Sequence, residues 1–233
     1  MIRAIVFDFD GLILDTEWPL YCAWRDLYAS HGCELPESLW LDSVGTQNTF
    51  DTYAHLELLA ARTIDRDHVR SLVDARFLQL MGDEPLLPGV AEYLTAARTL
   101  GMRVGLASSS SRAWIDGFIV PRGLSQHFEA IRCADDVRMV KPDPEVYLRA
   151  VDALGVPASE AVAFEDSAHG LAAAKAAGLH CVVVPNRLTR TMDFSLADAV
   201  LPSLAQRPLA DVIRTLGSPG GVKSVRSDGS SQS

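Results

Sequence analysis

Apolar residues recur along this chain with two different periods. At the start, Ile2, Ala4, Ile5, Val6 and Phe7 make five apolar positions in six, several β-branched or aromatic, which predicts a fully buried strand. In the second half the period lengthens: Val90, Tyr93, Leu94, Ala97 and Leu100 share one helical face, with Pro88 ahead and Gly101 behind. A strand over 102–107 follows and runs into Ser108, Ser109, Ser110 and Ser111. Asp143 is placed to cap the next helix, with Pro144 at its first position, a stripe of Val146, Tyr147, Ala150, Val151 and Leu154, and Gly155 as its stop. A strand over 161–164 leads into Glu165, Asp166 and Ser167, and a helix over 171–177 stops at Gly178 before a strand over 181–184. Alternation of this kind predicts an α/β fold, a parallel Rossmann-like sheet with helices on both faces. Each polar cluster follows a strand, the edge at which open α/β sheets bind their ligands.

Between the first strand and residue 85 the pattern is helical, with expected helices over 17–31, 38–42, 48–61 and 65–81. Trp18, Trp24 and Trp40 lie in this stretch, against Trp114 alone elsewhere. We therefore expect a core domain of residues 1–14 and 86–216 and a helical cap domain of 15–85 inserted after the first strand, placed to close over the site. Residues 217–233 are rich in Ser and Gly and read as a disordered tail.

Charge and cysteine usage narrow the function. The formal net charge is −9, from 30 acidic and 21 basic residues, which disfavours a nucleic-acid partner. No apolar run has the length of a membrane span and no signal peptide is seen, so neither a membrane partner nor export is expected. Cys22, Cys33, Cys133 and Cys181 are scattered without a C-x-x-C pair, as free thiols in a reducing compartment would be. The expected location is the cytoplasm and the expected state a monomer.

The candidate chemistry lies at the end of the first strand. Asp8 and Asp10 are two residues apart, so they project to the same side, and Gly11 frees the backbone to turn. Carboxylates are costly to bury unless paired or holding a metal, which makes this a candidate Mg²⁺ and phosphate site. The alternative is an Asx-turn followed by a surface carboxylate. Lysine is scarce, occurring at Lys141, Lys175 and Lys223, and Lys141 stands in K-P-D-P just before a helix.

The ordered set D-F-D-G-L-I-L-D-T-E, A-S-S-S-S-R, K-P-D-P-E-V-Y and F-E-D-S resembles the haloacid dehalogenase-like hydrolases, over residues 2 to about 187. It is most similar to the helical-cap branch that includes β-phosphoglucomutase and many sugar-phosphate phosphatases. The resemblance implies Asp8 as nucleophile, forming an aspartyl-phosphate, and Asp10 as general acid and then base. It implies Ser108 and Ser109 with the following backbone N–H groups as phosphate binders, and Lys141 as the charge neutralising phosphate and Asp8. Mg²⁺ would be held by Asp8, the main-chain carbonyl of Asp10, Glu165 and Asp166, with Asp166 the direct ligand. In the cap, Gly45, Thr46, Gln47 and Asn48 form a loop facing the substrate, with Thr46 and Gln47 as contacts. Asp15, Thr16 and Glu17 match the cap hinge, where they would shape the backbone, and His169 reads as a solvated polar residue.

Within that family Asp10 separates phosphoryl transfer from dehalogenation, and a cap without lysine separates it from phosphonate cleavage through a Schiff base. In β-phosphoglucomutase a cap histidine and a cap arginine hold the bisphosphate; the matching positions here are Leu20 and Asn48. The expected activity is thus a Mg²⁺-dependent phosphatase acting on a small phosphate monoester, a sugar or polyol monophosphate. A sugar phosphomutase and a phosphosugar-binding module without turnover are the alternatives.

Overall fold

The computed structural model describes residues 1–46, 50–82 and 84–216. Six strands form one parallel sheet in the order β3-β2-β1-β4-β5-β6. They are β1 (Ala4–Phe7), β2 (Arg103–Ala107), β3 (Ala130–Arg132), β4 (Ala161–Glu165), β5 (His180–Val183) and β6 (Ala199–Val200). The chain starts in the middle, builds outward through β2 and β3, then crosses to the other side of β1 with β4. The order reverses at β1 and β4, so a crevice opens beyond their carboxyl ends.

Strand periodicity divides the core in two. Ile5, Phe7, Leu106, Val162, Phe164 and Val182 face one side, packed by α5 (Val90–Thr99), α6 (Arg112–Ile119) and α9 (Leu209–Leu216). Ala4, Val6, Ala161, Ala163, Cys181 and Val183 face the other, under α7 (Glu145–Leu154) and α8 (Ala168–Ala176). The first face is filled by aromatics: Phe7 stacks on Phe164 at 5.5 Å, and Tyr93 meets Phe164 edge-on at 5.3 Å. The second uses small residues, which bring α7 close to β2; a Cβ on Gly105 would lie 3.0 Å from Leu154 Cδ1.

Four helices lie between β1 and α5: α1 (Glu17–Ser30), α2 (Glu37–Leu41), α3 (Thr52–Ala60) and α4 (Arg66–Met81). They enclose an apolar cluster of their own that includes Trp24, Tyr28, Trp40, Leu56, Val73 and Phe77. Asp51 and Asp65 cap α3 and α4, each accepting two backbone N–H bonds. Leu188, from the loop after β5, is buried in this same cluster, so the core reaches into the cap.

Several local expectations shift. The helix expected over 48–61 begins only at Thr52, where Asp51 caps it. The helix expected to begin at Pro144 begins at Glu145, because Asp143 Oδ1 accepts from the Glu145 N–H and Pro144 takes the capping position. The helix expected over 171–177 starts earlier, at Ala168, where Ser167 supplies the cap. The short strands β3 and β6 carry too few residues to show a period, and they were not expected. Asn48 and the expected tail of 217–233 lie outside the described residues.

Candidate active site

β1 and β4 are adjacent and in register, Phe7 opposite Phe164, so their carboxyl ends deliver Asp8, Asp10, Glu165 and Asp166 to one place. Gly11 makes the turn after β1 at φ +77°, and a Cβ there would lie 2.4 Å from Asp166 Oδ2. Asp8, Glu165 and Asp166 each offer an oxygen within 4.8 Å of the others, all three buried. The cation that opposes them is Lys141, itself 1% exposed. Its Nζ donates to Asp8 Oδ1 and, at 2.7 Å, to Glu165 Oε1.

Glu165 is filled from within the protein. Oε1 also accepts from Tyr147 Oη at 2.5 Å, and Oε2 accepts from the Asp166 N–H and the Ser167 hydroxyl. Its geometry is that of a group holding Lys141 in place. Asp166 is different: Oδ2 accepts from Asn186 Nδ2 at 2.7 Å, while Oδ1 is buried with no hydrogen-bond partner among the described residues. A buried carboxylate oxygen without a donor is costly, and an all-oxygen set of this kind suits a hard divalent cation. The residues present therefore fit Mg²⁺.

The electrostatics agree. Burial pushes Asp8 up to about 8, against the pull of Lys141 and with the charges of Glu165 and Asp10. Burial and the charges of Asp8 and Glu165 hold Asp166 well above the ordinary carboxylate range. Lys141 is raised despite burial, by Asp8 and Glu165. The cluster carries more negative charge than one ammonium balances, and a bound cation would restore the ionised forms.

Asp10 stands where two cavities meet. The smaller, about 40 Å³, is lined by Asp8, Asp10, Gly45, Thr46, Ser108, Ser109 and Ser110 with Glu17. The larger, about 340 Å³, opens toward the cap between Glu17, Leu20, Trp40 and Ser43 on one side and Ser110, Ser111 and Trp114 on the other. Four groups donate to the Asp10 carboxylate: Thr16 Oγ1 at 2.7 Å and Trp114 Nε1 at 2.8 Å to Oδ1, Ser110 Oγ at 2.6 Å and Ser108 Oγ at 3.3 Å to Oδ2.

The expected site residues Asp8, Asp10, Thr46, Ser108, Ser109, Lys141, Glu165 and Asp166 thus converge; Gln47 lies outside the described residues. The cap loop is pinned to the core: Thr46 Oγ1 donates to the Lys141 carbonyl and Ser109 Oγ to the Gly45 carbonyl at 3.0 Å. Gly45 has φ +79°, and a Cβ there would meet Ser167 Oγ at 2.2 Å, so this approach requires glycine. His169 is not simply solvated: it is half-buried, with Nδ1 3.0 Å from the Val44 carbonyl. Thr16 and Glu17 do more than shape a hinge. Thr16 spends its hydroxyl on Asp10 rather than on capping α1, and Glu17 lines both cavities. Burial, then the charges of Asp10, Asp8 and Asp15, push Glu17 up to about 8. Trp114 and Asn186 are functional candidates that spacing alone did not reveal, because each meets its carboxylate across the fold.

Residues 5–184 match the family model of the haloacid dehalogenase-like hydrolases. This chain belongs to that family. It is 44% identical over 218 residues, 94% of this chain and 99% of the other, to the candidate phosphatase YhcW of Bacillus subtilis (strain 168). It is 35% identical to hexitol phosphatase B of Escherichia coli (strain K12), over 91% of this chain and 97% of that one. Among solved structures, a mutant of CbbY from Rhodobacter sphaeroides in complex with xylulose-(1,5)bisphosphate superposes with a TM-score of 0.72 at 30% identity, over 88% of this chain and 96% of that one. The resemblance, the α/β architecture and the assignment as a phosphoric monoester hydrolase all stand. Among the described residues, no helix is long and apolar enough to cross a membrane.

Proposed function

We propose that the protein is a Mg²⁺-dependent phosphatase that hydrolyses the monophosphate of a small, otherwise uncharged sugar or polyol through an aspartyl-phosphate on Asp8. The observation that carries this is Asp10 at the junction of a phosphate-sized cavity lined by Asp8, whose carboxylate is paired to Lys141, and a larger one with no basic residue in its described lining. The substrate's phosphate lies in the smaller cavity, where Ser108, Ser109 and Lys141 take up charge on its oxygens. The Asp8 carboxylate attacks phosphorus while the ester P–O bond breaks, and the departing alkoxide takes its proton from Asp10. Water then attacks the phosphoryl group, Asp10 accepts its proton, and the bond to Asp8 breaks to release phosphate. Asp8, the Asp10 carbonyl and Asp166 would hold Mg²⁺, which would supply positive charge to the phosphoryl oxygens and favour the ionised form of Asp8. Glu165 acts by holding Lys141.

The larger cavity favours a neutral leaving group. Its described lining contains Asp10 and Glu17, hydroxyls and two tryptophans, and no Lys, Arg or His. A second phosphate there would meet carboxylates and no cation, which disfavours both a bisphosphate substrate and the phosphomutase alternative. The kinship with hexitol phosphatase B supports a hexitol or similar polyol phosphate as substrate. Cysteines 22, 33, 133 and 181 are unpaired, which suits the cytoplasm.

The test is phosphate release from a panel of hexitol, hexose, pentose and glycerol monophosphates, with Mg²⁺ or with EDTA. We expect Mg²⁺-dependent turnover of a few polyol or sugar monophosphates, abolished in Asp8→Asn. Turnover that survives Asp8→Asn, or that appears only with a bisphosphate primer, would overturn the reading.

A further inference from the structure

The groups that hold Asp10 are not equivalent. The hydroxyls of Thr16, Ser108 and Ser110 can donate or accept by rotating, whereas an indole N–H can only donate. Trp114 directs that obligate donor at Asp10 Oδ1, at 2.8 Å. The indole is itself held by its neighbours. Its ring centroid lies 5.1 Å from that of Phe77, on cap helix α4, and 5.2 Å from that of Phe118, edge-on, one turn further along α6.

A carboxyl that protonates a leaving group carries the proton on one of its two oxygens. The hydroxyl oxygen of a carboxylic acid is a much weaker acceptor than its carbonyl oxygen, so a fixed N–H favours the form in which Oδ1 is the carbonyl. The proton then resides on Oδ2, beside the Ser108 and Ser110 hydroxyls and the phosphate-sized cavity. We propose that Trp114 is the positioning residue that assigns the two oxygens of Asp10, Oδ1 as acceptor and Oδ2 as the oxygen that delivers the proton to the leaving alkoxide. The inference rests on the phosphatase reading above and adds to it a residue from outside the shared motifs. It also gives the cap a part in the chemistry, since Phe77 is one of the two rings that hold the indole.

A merely structural role and this one differ in their dependence on the leaving group. An alkyl phosphate needs its oxygen protonated, while the phenolate of 4-nitrophenyl phosphate departs without help. In the second step Asp10 accepts a proton, and a donor on Oδ1 works against that, so its removal does not slow the step. The experiment compares the wild-type protein with Trp114→Phe and with a protein carrying 3-benzothienylalanine at position 114, which replaces the N–H by sulfur in the same shape. Steady-state kinetics are measured on glucitol 6-phosphate, or the best monophosphate of the panel, and on 4-nitrophenyl phosphate. We expect kcat on the alkyl ester to fall about ten- to a hundredfold in both variants, with KM changed less than about threefold. On the aryl ester kcat should stay within about threefold, and the melting temperatures should match to a few degrees. Equal losses on both esters, a change confined to KM, or unchanged kcat on the alkyl ester would overturn the proposal while leaving the phosphatase reading intact. Failure of the wild-type protein to hydrolyse either ester would overturn both.

Discussion

The two ends of the active site are built on opposite principles. The phosphate end is a closed charge cluster: Asp8, Lys141, Glu165 and Asp166 are all buried, bonded to one another, to the backbone and to the side chains of Tyr147, Ser167 and Asn186. The leaving-group end is a roomy cavity of hydroxyls and indoles with two half-buried acids, Asp10 and Glu17, and no basic residue in its described lining. On the proposed mechanism one end fixes the reaction through charge, and the other selects the substrate through shape and the absence of a basic residue from its described lining. Changes at the first should therefore cost all substrates alike, and changes at the second should act selectively.

The largest effect is expected from Lys141→Met. It removes the cation that bridges Asp8 and Glu165 and leaves the two carboxyls buried together without a counter-charge. Activity should fall about a thousandfold on every ester, and stability by about 3–5 kcal/mol. The stability loss should deepen as pH rises and Asp8, already raised by burial, is driven to ionise without its counter-charge; parallel urea melts at acid and neutral pH would show it. A loss limited to some substrates would break the division between the two ends.

Asp166→Asn should cost at least about a hundredfold in activity. It also has a readout that needs no substrate. Ionised Asp166 is unfavourable in the fold, with Oδ1 unpartnered, so the neutral amide should stabilise the protein in EDTA. Mg²⁺ should then raise the melting temperature of the wild-type protein and leave the variant unchanged. A variant that still gained stability from Mg²⁺ would remove Asp166 from the metal site.

The same contrast governs what the chain reveals before folding. The phosphate end is assembled from short segments that each end a strand or open a helix, so Asp8, Asp10, Ser108, Lys141 and Asp166 announce themselves by position. Helix α4 and the strands next to the site show clear periods, and they emerge within a residue or two of expectation. The leaving-group end is assembled from single side chains whose partners lie far away in sequence. Trp114 reaches Asp10 across 104 residues, and at the phosphate end one side chain of the same kind, Asn186, reaches Asp166 from beyond the matched motifs. Nothing local marks either residue. Thr16 and Glu17 were visible, but the resemblance placed them at the cap hinge, where they would only shape the backbone. Only the fold shows that the hydroxyl is given to Asp10.

Glu17 sharpens the comparison through pH. Its carboxyl is raised from 4.5 to about 8, first by burial and then by Asp10, Asp8 and Asp15. A raised acid holds its proton in the folded protein after the unfolded chain has released it. Its contribution to stability is thus whole below about pH 4.5 and is lost as pH rises toward about 8. In EDTA, Glu17→Gln should match the wild-type protein near pH 4.5 and exceed its stability increasingly up to pH 8, while kcat changes less than in Asp166→Asn. Melting curves of the two proteins that ran parallel across this range would show that Glu17 ionises freely.

The smallest effect, and the finest test of the boundary between the two ends, is expected from Phe77→Leu. Phe77 is buried in the cap, 5.1 Å from the ring of Trp114 and 6.2 Å from that of Phe118. Leucine keeps the site apolar but gives up two aromatic contacts and some volume, at a cost of about 1–2 kcal/mol. The indole then loses the ring that braces it from the cap while keeping its N–H, so the bond to Asp10 loosens without disappearing. Turnover of the alkyl ester should drop severalfold, less than in Trp114→Phe, and 4-nitrophenyl phosphate should be nearly unaffected. Combined with Trp114→Phe, the second substitution should add almost nothing on the alkyl ester, because both act through the same hydrogen bond. Additive losses in the double variant would mean that Phe77 reaches the chemistry by some route other than the indole.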